Sequence, residues 1–187
     1  MQLDKIDKEI LDTLHKYGRR SLNDISKQVY ISSKQKMSHT GIAKRISKME
    51  DAELLKIQGN INIGNLNYNS AFILMEMQNY DEIKNIVHNY SKCPRVFLLA
   101  QVTGEYDLIL GIIAQSLENL LNFIDHCGPT NKGGLLHSSV IVTSEIILPK
   151  YIPLNIFSHE SYKNRHENVC ECCDALLEGK CKGLDNF

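Results

Sequence analysis

Hydrophobic positions in the first fifty residues recur at helical spacing in three short blocks. Ile6, Ile10 and Leu14 repeat every four residues until Gly18, which predicts a first helix over about 4–17. Ser21 and Ser38 have the side chains of N-caps, and each precedes a further helical pattern. The inward positions of the second and third predicted helices are Leu22, Ile25 and Val29, and Ile42, Ile46 and Met49.

The hydrophobic period changes from about 3.6 to two over residues 54–63, which predicts extended chain. Gly59 and Asn60 form a turn signal in its middle, so we expect a two-stranded wing. Residues 1–63 therefore predict a winged helix-turn-helix, with a plain three-helix bundle as the alternative. The predicted connection between the second and third helices, 30–37, is longer than the turn of about three to four residues typical of this motif.

Strand and helix patterns alternate after a polar linker at 64–70. Strands are predicted at 71–78, 95–103, 107–115 and 136–148, and helical spacing marks 83–90 and 117–124. The order β-α-β-β-α-β predicts a ferredoxin-like domain over 71–148, an antiparallel sheet with both helices on one face. The fold class of the chain is therefore α+β.

Both faces of this predicted sheet are apolar. Since two helices cover only one face, the other would leave an apolar patch too large for a monomer, and we expect a homodimer through the sheet. One face is predicted to carry Phe97, Leu99, Ile109 and Ile141, and the opposite face Val96, Leu98, Leu108, Leu110, Val140 and Val142.

The net charge of −1 hides an uneven distribution. Residues 1–60 contain 12 Lys or Arg and 8 Asp or Glu, whereas the remainder contains 9 and 14. No acidic residue lies between Asp24 and Glu50, which favours double-stranded DNA as a partner over an ordinary solvated face. The predicted base-reading residues are Ser38, His39 and Thr40, and the predicted phosphate contacts are Lys34, Lys36, Lys44, Arg45 and Lys48.

The chain has no apolar run long enough for a membrane span and no signal-peptide pattern at its start, so we expect a cytoplasmic protein without a membrane partner. No cofactor is required by any motif. After a second linker at 149–169, however, the tail at 170–187 contains a C-x2-C pair. His166, Cys170, Cys173 and Cys181 form a candidate zinc site. The alternatives are a disordered tail with reactive thiols and an ion shared between subunits.

Two passages of the chain resemble the Lrp/AsnC family of feast/famine transcription regulators. The first comprises LDKIDKEIL at 3–11, GRR at 18–20 and AKRISKME at 43–50, similar to the opening and recognition helices of the family. The second is VTGEYD at 102–107, similar to its G-x-Y-D turn. The resemblance covers about residues 3–148. Some archaeal relatives carry cysteine-rich metal-sensing tails, which the tail here resembles loosely because it lacks their second cysteine pair.

The resemblance implies that residues 21–50 read DNA and that dimers assemble further into tetramers or octamers. It also implies that a small effector, usually an amino acid, binds near Gly104, Tyr106 and Asp107. Asp107 has the charge to pair with an ammonium group. The alternative is structural: Gly104 permits a tight hairpin, Tyr106 lies in the core and Asp107 caps the turn.

A regulator without catalytic activity is thus the predicted function, and two alternatives stay open. One is a regulator that senses metal or redox state through its cysteine tail. The other is a sirohaem-decarboxylase-like enzyme, since those enzymes share the two-domain architecture, although no residue motif here matches them. The basic stretch at 27–48 favours DNA over a tetrapyrrole.

Overall fold

The computed structural model describes residues 2–91, 93–131 and 133–154, and the chain divides into two compact units between Gly59 and Asn60. The first unit contains α1 (Lys5–Lys16), α2 (Leu22–Ser33) and α3 (His39–Asp51). The second contains β1 (Asn69–Met77), α4 (Tyr80–Tyr90), β2 (Val96–Gln101), β3 (Leu108–Ala114), α5 (Leu117–Asn122) and β4 (Leu135–Thr143). No helix within the described residues has the length and hydropathy of a membrane span.

The three predicted helices of the first unit are confirmed, and local capping explains where they begin. Asp4 and Asp7 form a reciprocal capping box at the start of α1, and Ser21 and Ser38 cap α2 and α3. The three helices bury one shared core, which includes Ile10, Ile25, Val29, Ile42 and Met49.

Leu22 was predicted to point inward but is exposed. It is the first residue of α2, and helical side chains tilt toward the N-terminus, so no preceding turn of the helix covers it.

The prediction of a long connection between α2 and α3 over residues 30–37 is wrong. Helix α2 continues to Ser33, and Lys34 ends it with left-handed backbone at φ 59°, so only residues 34–38 join α2 to α3. The Ser33 hydroxyl donates to the carbonyl of Val29 at 2.6 Å, within the last turns. Because Tyr30 and Ile31 are exposed, the hydrophobic pattern stops marking the helix before the helix ends.

The predicted wing is also absent from the described residues. Residues 54–60 form no strand, and Ile61 pairs instead with Ile152 in an isolated antiparallel bridge. Ile63 is buried with Ile113 and Ile152 in the second unit. A two-stranded hairpin alone is marginally stable, whereas these isoleucines gain apolar partners by packing in the second unit.

The second unit confirms the ferredoxin-like arrangement. Its four strands form an antiparallel sheet in the order β2-β3-β1-β4. Side chains of β1 and β3 that point to the helical face form the core with α4 and α5, among them Ile73, Met75, Leu108 and Leu110. Strand β4 contributes little to this core, and Val140 and Val142 are both exposed.

A β-bulge corrects the predicted faces of β2. The register with β3 shifts between Val96 and Leu98, so Val96 and Leu99 both pack against the helical core. Phe97 and Leu98 lie together over Gly111 on the opposite face. One extra residue in a strand reverses the alternation of every later side chain, which hydrophobic periodicity alone does not reveal.

This opposite face, called here the open face, has no helix over its centre. Phe72, Leu74, Phe97 and Ile109 are half-buried there, and Ile141 is 51% exposed. Phe97 meets Phe72 edge to face, with ring centroids 5.7 Å apart.

The packing of Phe97 and Leu98 over β3 requires a glycine at position 111. A Cβ at this position would lie 2.8 Å from the Phe97 ring and 3.0 Å from Leu98 Cβ. We predict that Gly111→Ala lowers the free energy of unfolding by about 1–3 kcal/mol through overpacking, measured by urea denaturation. Gly133→Ala is the matched control, since a Cβ there meets no atom within 4 Å. Equal stability of the two variants would contradict the prediction.

Candidate nucleic-acid interface and effector region

The start of α3 presents the residues that the sequence predicted to read bases. The Ser38 hydroxyl accepts from the Gly41 N–H at 3.1 Å, so this side chain is used in part to begin the helix. His39 and Thr40 follow in the first turn and are exposed. Lys44 and Lys48 are exposed one and two turns later. The arrangement places shorter polar side chains at the start of α3 and longer cations further along it.

A groove of about 740 Å³ lies beside this helix start. Lys36, Met37, Ser38, His39 and Thr40 line one side of it, and Asn23, Ser26, Lys27 and Tyr30 of α2 line the other. None of these α2 residues was among the predicted base or phosphate contacts, although their spacing of i, i+3, i+4 and i+7 marks one helix face.

Two contacts fix the groove. His39 Nε2 lies 3.2 Å from Asn23 Oδ1, and Ser26 Oγ donates to the carbonyl of Met37 at 2.6 Å. They join the α2 face to the chain that leads into α3, so the first turn of α3 is supported by side chains outside its own helix.

Lys34 and Lys36 both lie in the connection between α2 and α3 and are exposed. Lys34 is the left-handed C-cap residue of α2, and Lys36 lines the groove. The short turn therefore keeps both lysines at the side of the predicted interface.

Arg45 differs from the other predicted phosphate contacts. Its side chain is 29% exposed, and Nη1 donates to Asp4 Oδ2 at 2.7 Å and to Asp7 Oδ1 at 2.6 Å. These hydrogen bonds to Asp7 and Asp4 raise the pKa of Arg45 above its ordinary value. The pKa of Asp4 is lowered, first by the hydrogen bond from the Asp7 backbone N–H and also by Arg45.

In the second unit, Asp107 joins two strands. Its Oδ2 accepts from the Met77 N–H at 2.7 Å, and its own N–H donates to the carbonyl of Met75 at 2.8 Å. Its carbonyl accepts from the Val102 N–H at 2.8 Å. Asp107 therefore links the chain that enters β3 to the end of β1. This is a structural role of the kind that the sequence left open as the alternative to effector binding.

Gly104 and Tyr106 flank the same turn. Gly104 has a φ of 139°, a conformation that favours glycine, and it is exposed. Tyr106 is half-buried rather than a core residue, and its ring stacks on His137 with centroids 6.0 Å apart and planes at 21°. His137 of β4 was missed because its sequence neighbours give no signal, and only the sheet brings it beside Tyr106.

A second groove of about 740 Å³ lies near the start of β1 and the end of β4. Its lining is rich in carboxamides, including Asn62, Asn65, Asn67 and Asn69, and it includes none of the three predicted effector residues.

The predicted zinc ligands His166, Cys170, Cys173 and Cys181 lie outside the described residues. Among the residues that are described, no three His, Cys, Asp or Glu side chains are grouped closely enough to hold a metal ion.

Comparisons with known proteins connect both units to one family. The sequence profile of the Lrp/AsnC ligand binding domain matches residues 70–147. An HTH-type transcriptional regulator, FL11 of Pyrococcus horikoshii, is 31% identical over 135 residues, which cover 67% of this chain and 80% of that protein.

Two solved structures share the fold. Escherichia coli AsnC matches with a TM-score of 0.65 and 16% identity, over 79% of this chain and 96% of that one. A transcriptional regulator from Neisseria meningitidis in complex with L-Met matches with a TM-score of 0.62 and 22% identity, over 78% and 92% of the two chains.

Proposed function

The chain belongs to the Lrp/AsnC family of transcriptional regulators, and we propose that it reads its operator with the first turn of α3. The observation that carries this proposal is the placement of exposed His39 and Thr40 at the capped start of α3, followed by exposed Lys44 and Lys48. Side chains at the start of a recognition helix reach base edges in the major groove, and lysines further along reach phosphates.

The relatives are named transcriptional regulators, which favours this function over the tetrapyrrole-decarboxylating alternative. The groove beside α3 extends the proposed surface to Asn23 and Tyr30 of α2.

We propose that two copies associate through the open face. Apolar side chains there, such as Phe72, Leu74 and Ile141, lack a covering helix, and a second sheet would remove them from water. A two-fold dimer presents two reading helices, which suits two half-sites of one operator. Light scattering on the protein–operator complex is expected to give two copies per operator, or a multiple of two.

The salt dependence of DNA binding tests the proposed interface. We predict that Lys34→Ala combined with Lys36→Ala weakens binding to all DNA sequences alike. The slope of log K against log salt should become shallower by about 1.8, since each phosphate contact contributes about 0.9. Fluorescence anisotropy between low and moderate salt measures the slope.

Lys84→Ala combined with Lys150→Ala is the matched control, because both lysines are exposed and lie in the second unit. An unchanged slope in the Lys34 and Lys36 variant would remove these two residues from the interface. Absence of any specific DNA sequence from a genome-wide binding experiment would contradict the function itself.

We further propose that an amino-acid effector binds beside Tyr106, Asp107 and His137. The matching profile describes a ligand binding domain, and the structurally similar Neisseria regulator was solved with L-Met. Asp107 Oδ1 makes no hydrogen bond with any described residue, so it has a lone pair for an ammonium group. The stacked rings of Tyr106 and His137 give this position an aromatic wall.

We predict that at least one of the twenty amino acids binds the protein in calorimetry and shifts its operator affinity. Tyr106→Ala should weaken that binding by tenfold or more, because it removes the aromatic wall. Tyr80→Ala is the control, since Tyr80 is an exposed tyrosine of α4 in the same unit. Equal effector affinity in both variants, or no binding by any amino acid, would refute this effector site.

For the cysteine tail we propose a structural zinc site formed by His166, Cys170, Cys173 and Cys181, supported by the C-x2-C spacing in the sequence. Protein purified without chelator is expected to contain about one zinc per chain by elemental analysis. Cys170→Ser combined with Cys173→Ser should lose the metal, whereas Cys172→Ser should keep it. Zinc near zero in the unaltered chain would end this proposal. If zinc or an oxidant rather than an amino acid shifts operator affinity, and Cys170→Ser combined with Cys173→Ser abolishes that shift, the tail is the sensor.

A further inference from the structure

The capping box at the start of α1 and its ion pair with Arg45 of α3 together use all four carboxylate oxygens of Asp4 and Asp7. Asp4 Oδ1 accepts from the Asp7 N–H at 2.8 Å, and Asp7 Oδ2 accepts from the Asp4 N–H at 3.0 Å. The two remaining oxygens, Asp4 Oδ2 and Asp7 Oδ1, both accept from Arg45 Nη1. The capping box therefore holds two acceptors in fixed positions before the arginine of α3 reaches them.

The charge of Arg45 is compensated within this cluster. Two carboxylates and one guanidinium leave a local charge of −1, so the cluster does not attract phosphate as a free lysine does. The Asp7 side chain is only 8% exposed, which makes its separation from Arg45 costly. Lys44, the preceding residue, is exposed and forms no ion pair with any described residue.

The apolar contacts of α3 determine which of its faces is buried. Ile42, Ile46 and Met49 form this face and pack against α1 and α2. Two short charge-assisted hydrogen bonds add a directional constraint, and they act on α3 at its middle, six residues after His39.

We propose that Arg45 is a positioning residue, whose bridge to Asp4 and Asp7 orients the recognition helix while its guanidinium contacts no phosphate. This role replaces the phosphate contact that the sequence predicted for Arg45. The inference rests on the proposed DNA binding and assigns α1 a part in operator recognition without any contact to DNA.

The two roles of Arg45 predict opposite effects for Asp7→Asn. The asparagine oxygen still accepts from the Asp4 N–H, so the capping box is retained, while Arg45 loses the charge of Asp7 and keeps only that of Asp4. If Arg45 positions α3, Asp7→Asn weakens operator binding. If Arg45 contacts a phosphate, Asp7→Asn strengthens binding, because a competing carboxylate has been removed.

The experiment is a double-mutant cycle on operator affinity in the full chain. We expect Asp7→Asn and Arg45→Gln each to weaken binding about tenfold, and the double variant to be no weaker than either single variant. Because the two residues act as one unit, their effects do not add. Arg45→Gln should leave the salt slope unchanged, whereas Lys44→Ala should make it shallower by about 0.9.

Asp12→Asn is the matched charge control. Asp12 also lies on α1, but it pairs with Lys16 and both side chains are more than half exposed. Its removal changes the net charge as Asp7→Asn does, and we expect unchanged or slightly tighter binding. All affinities are measured at a temperature where circular dichroism shows each variant to be fully folded, so that loss of stability alone does not change them.

Tighter binding by Asp7→Asn, additive losses in the double variant, or a shallower salt slope for Arg45→Gln would each overturn the positioning role. Unchanged affinity of folded Asp7→Asn would overturn it as well. These outcomes differ from failure of the proposed function, in which the unaltered chain binds no operator and Lys44→Ala has no effect.

Discussion

Two helices lie over a four-stranded sheet, and they cover only one of its faces. Helices α4 and α5 bury the side chains of β1 and β3 that point toward them, while the opposite face keeps Phe72, Leu74 and Ile109 only half-buried. This imbalance is a property of the ferredoxin-like order, since each helix connects strands from the same side. The proposed pairing of two chains, and with it the pairing of two recognition helices, follows from that uncovered face.

In the first unit, the proposed DNA interface depends on how α3 is held against the other two helices. Its apolar core buries one face of each of the three helices. Polar contacts add directional constraints: Arg45 donates to Asp4 and Asp7, and His39 Nε2 lies 3.2 Å from Asn23 Oδ1. The basic stretch at 27–48 therefore contains cations of two kinds, exposed lysines and one arginine used within the protein.

In the second unit, too, a charged side chain that a motif would assign to a partner is used within the protein. Asp107 would be assigned to a ligand by its motif, yet one of its oxygens already accepts from the Met77 N–H. A single carboxylate has two oxygens, so a structural bond and a ligand contact are compatible, and a motif does not tell them apart. The Tyr106 and His137 stack adds a surface next to Asp107 that no local sequence pattern predicted.

Elements whose signals are local could be predicted from the order of the residues alone. The N-cap residues Ser21 and Ser38, the hydrophobic periods of the helices and strands and the glycine turn at 104 were sufficient to place three helices, the βαββαβ order and the exposed start of α3. Three other features depend on contacts between distant parts of the chain. Ile61 joined Ile152 instead of a wing, a bulge turned Leu99 to the core, and Arg45 was drawn to α1. Each of these outcomes depends on partners that lie elsewhere along the chain or in a neighbouring strand, and local periodicity carries no information about which distant partner gives the lower free energy.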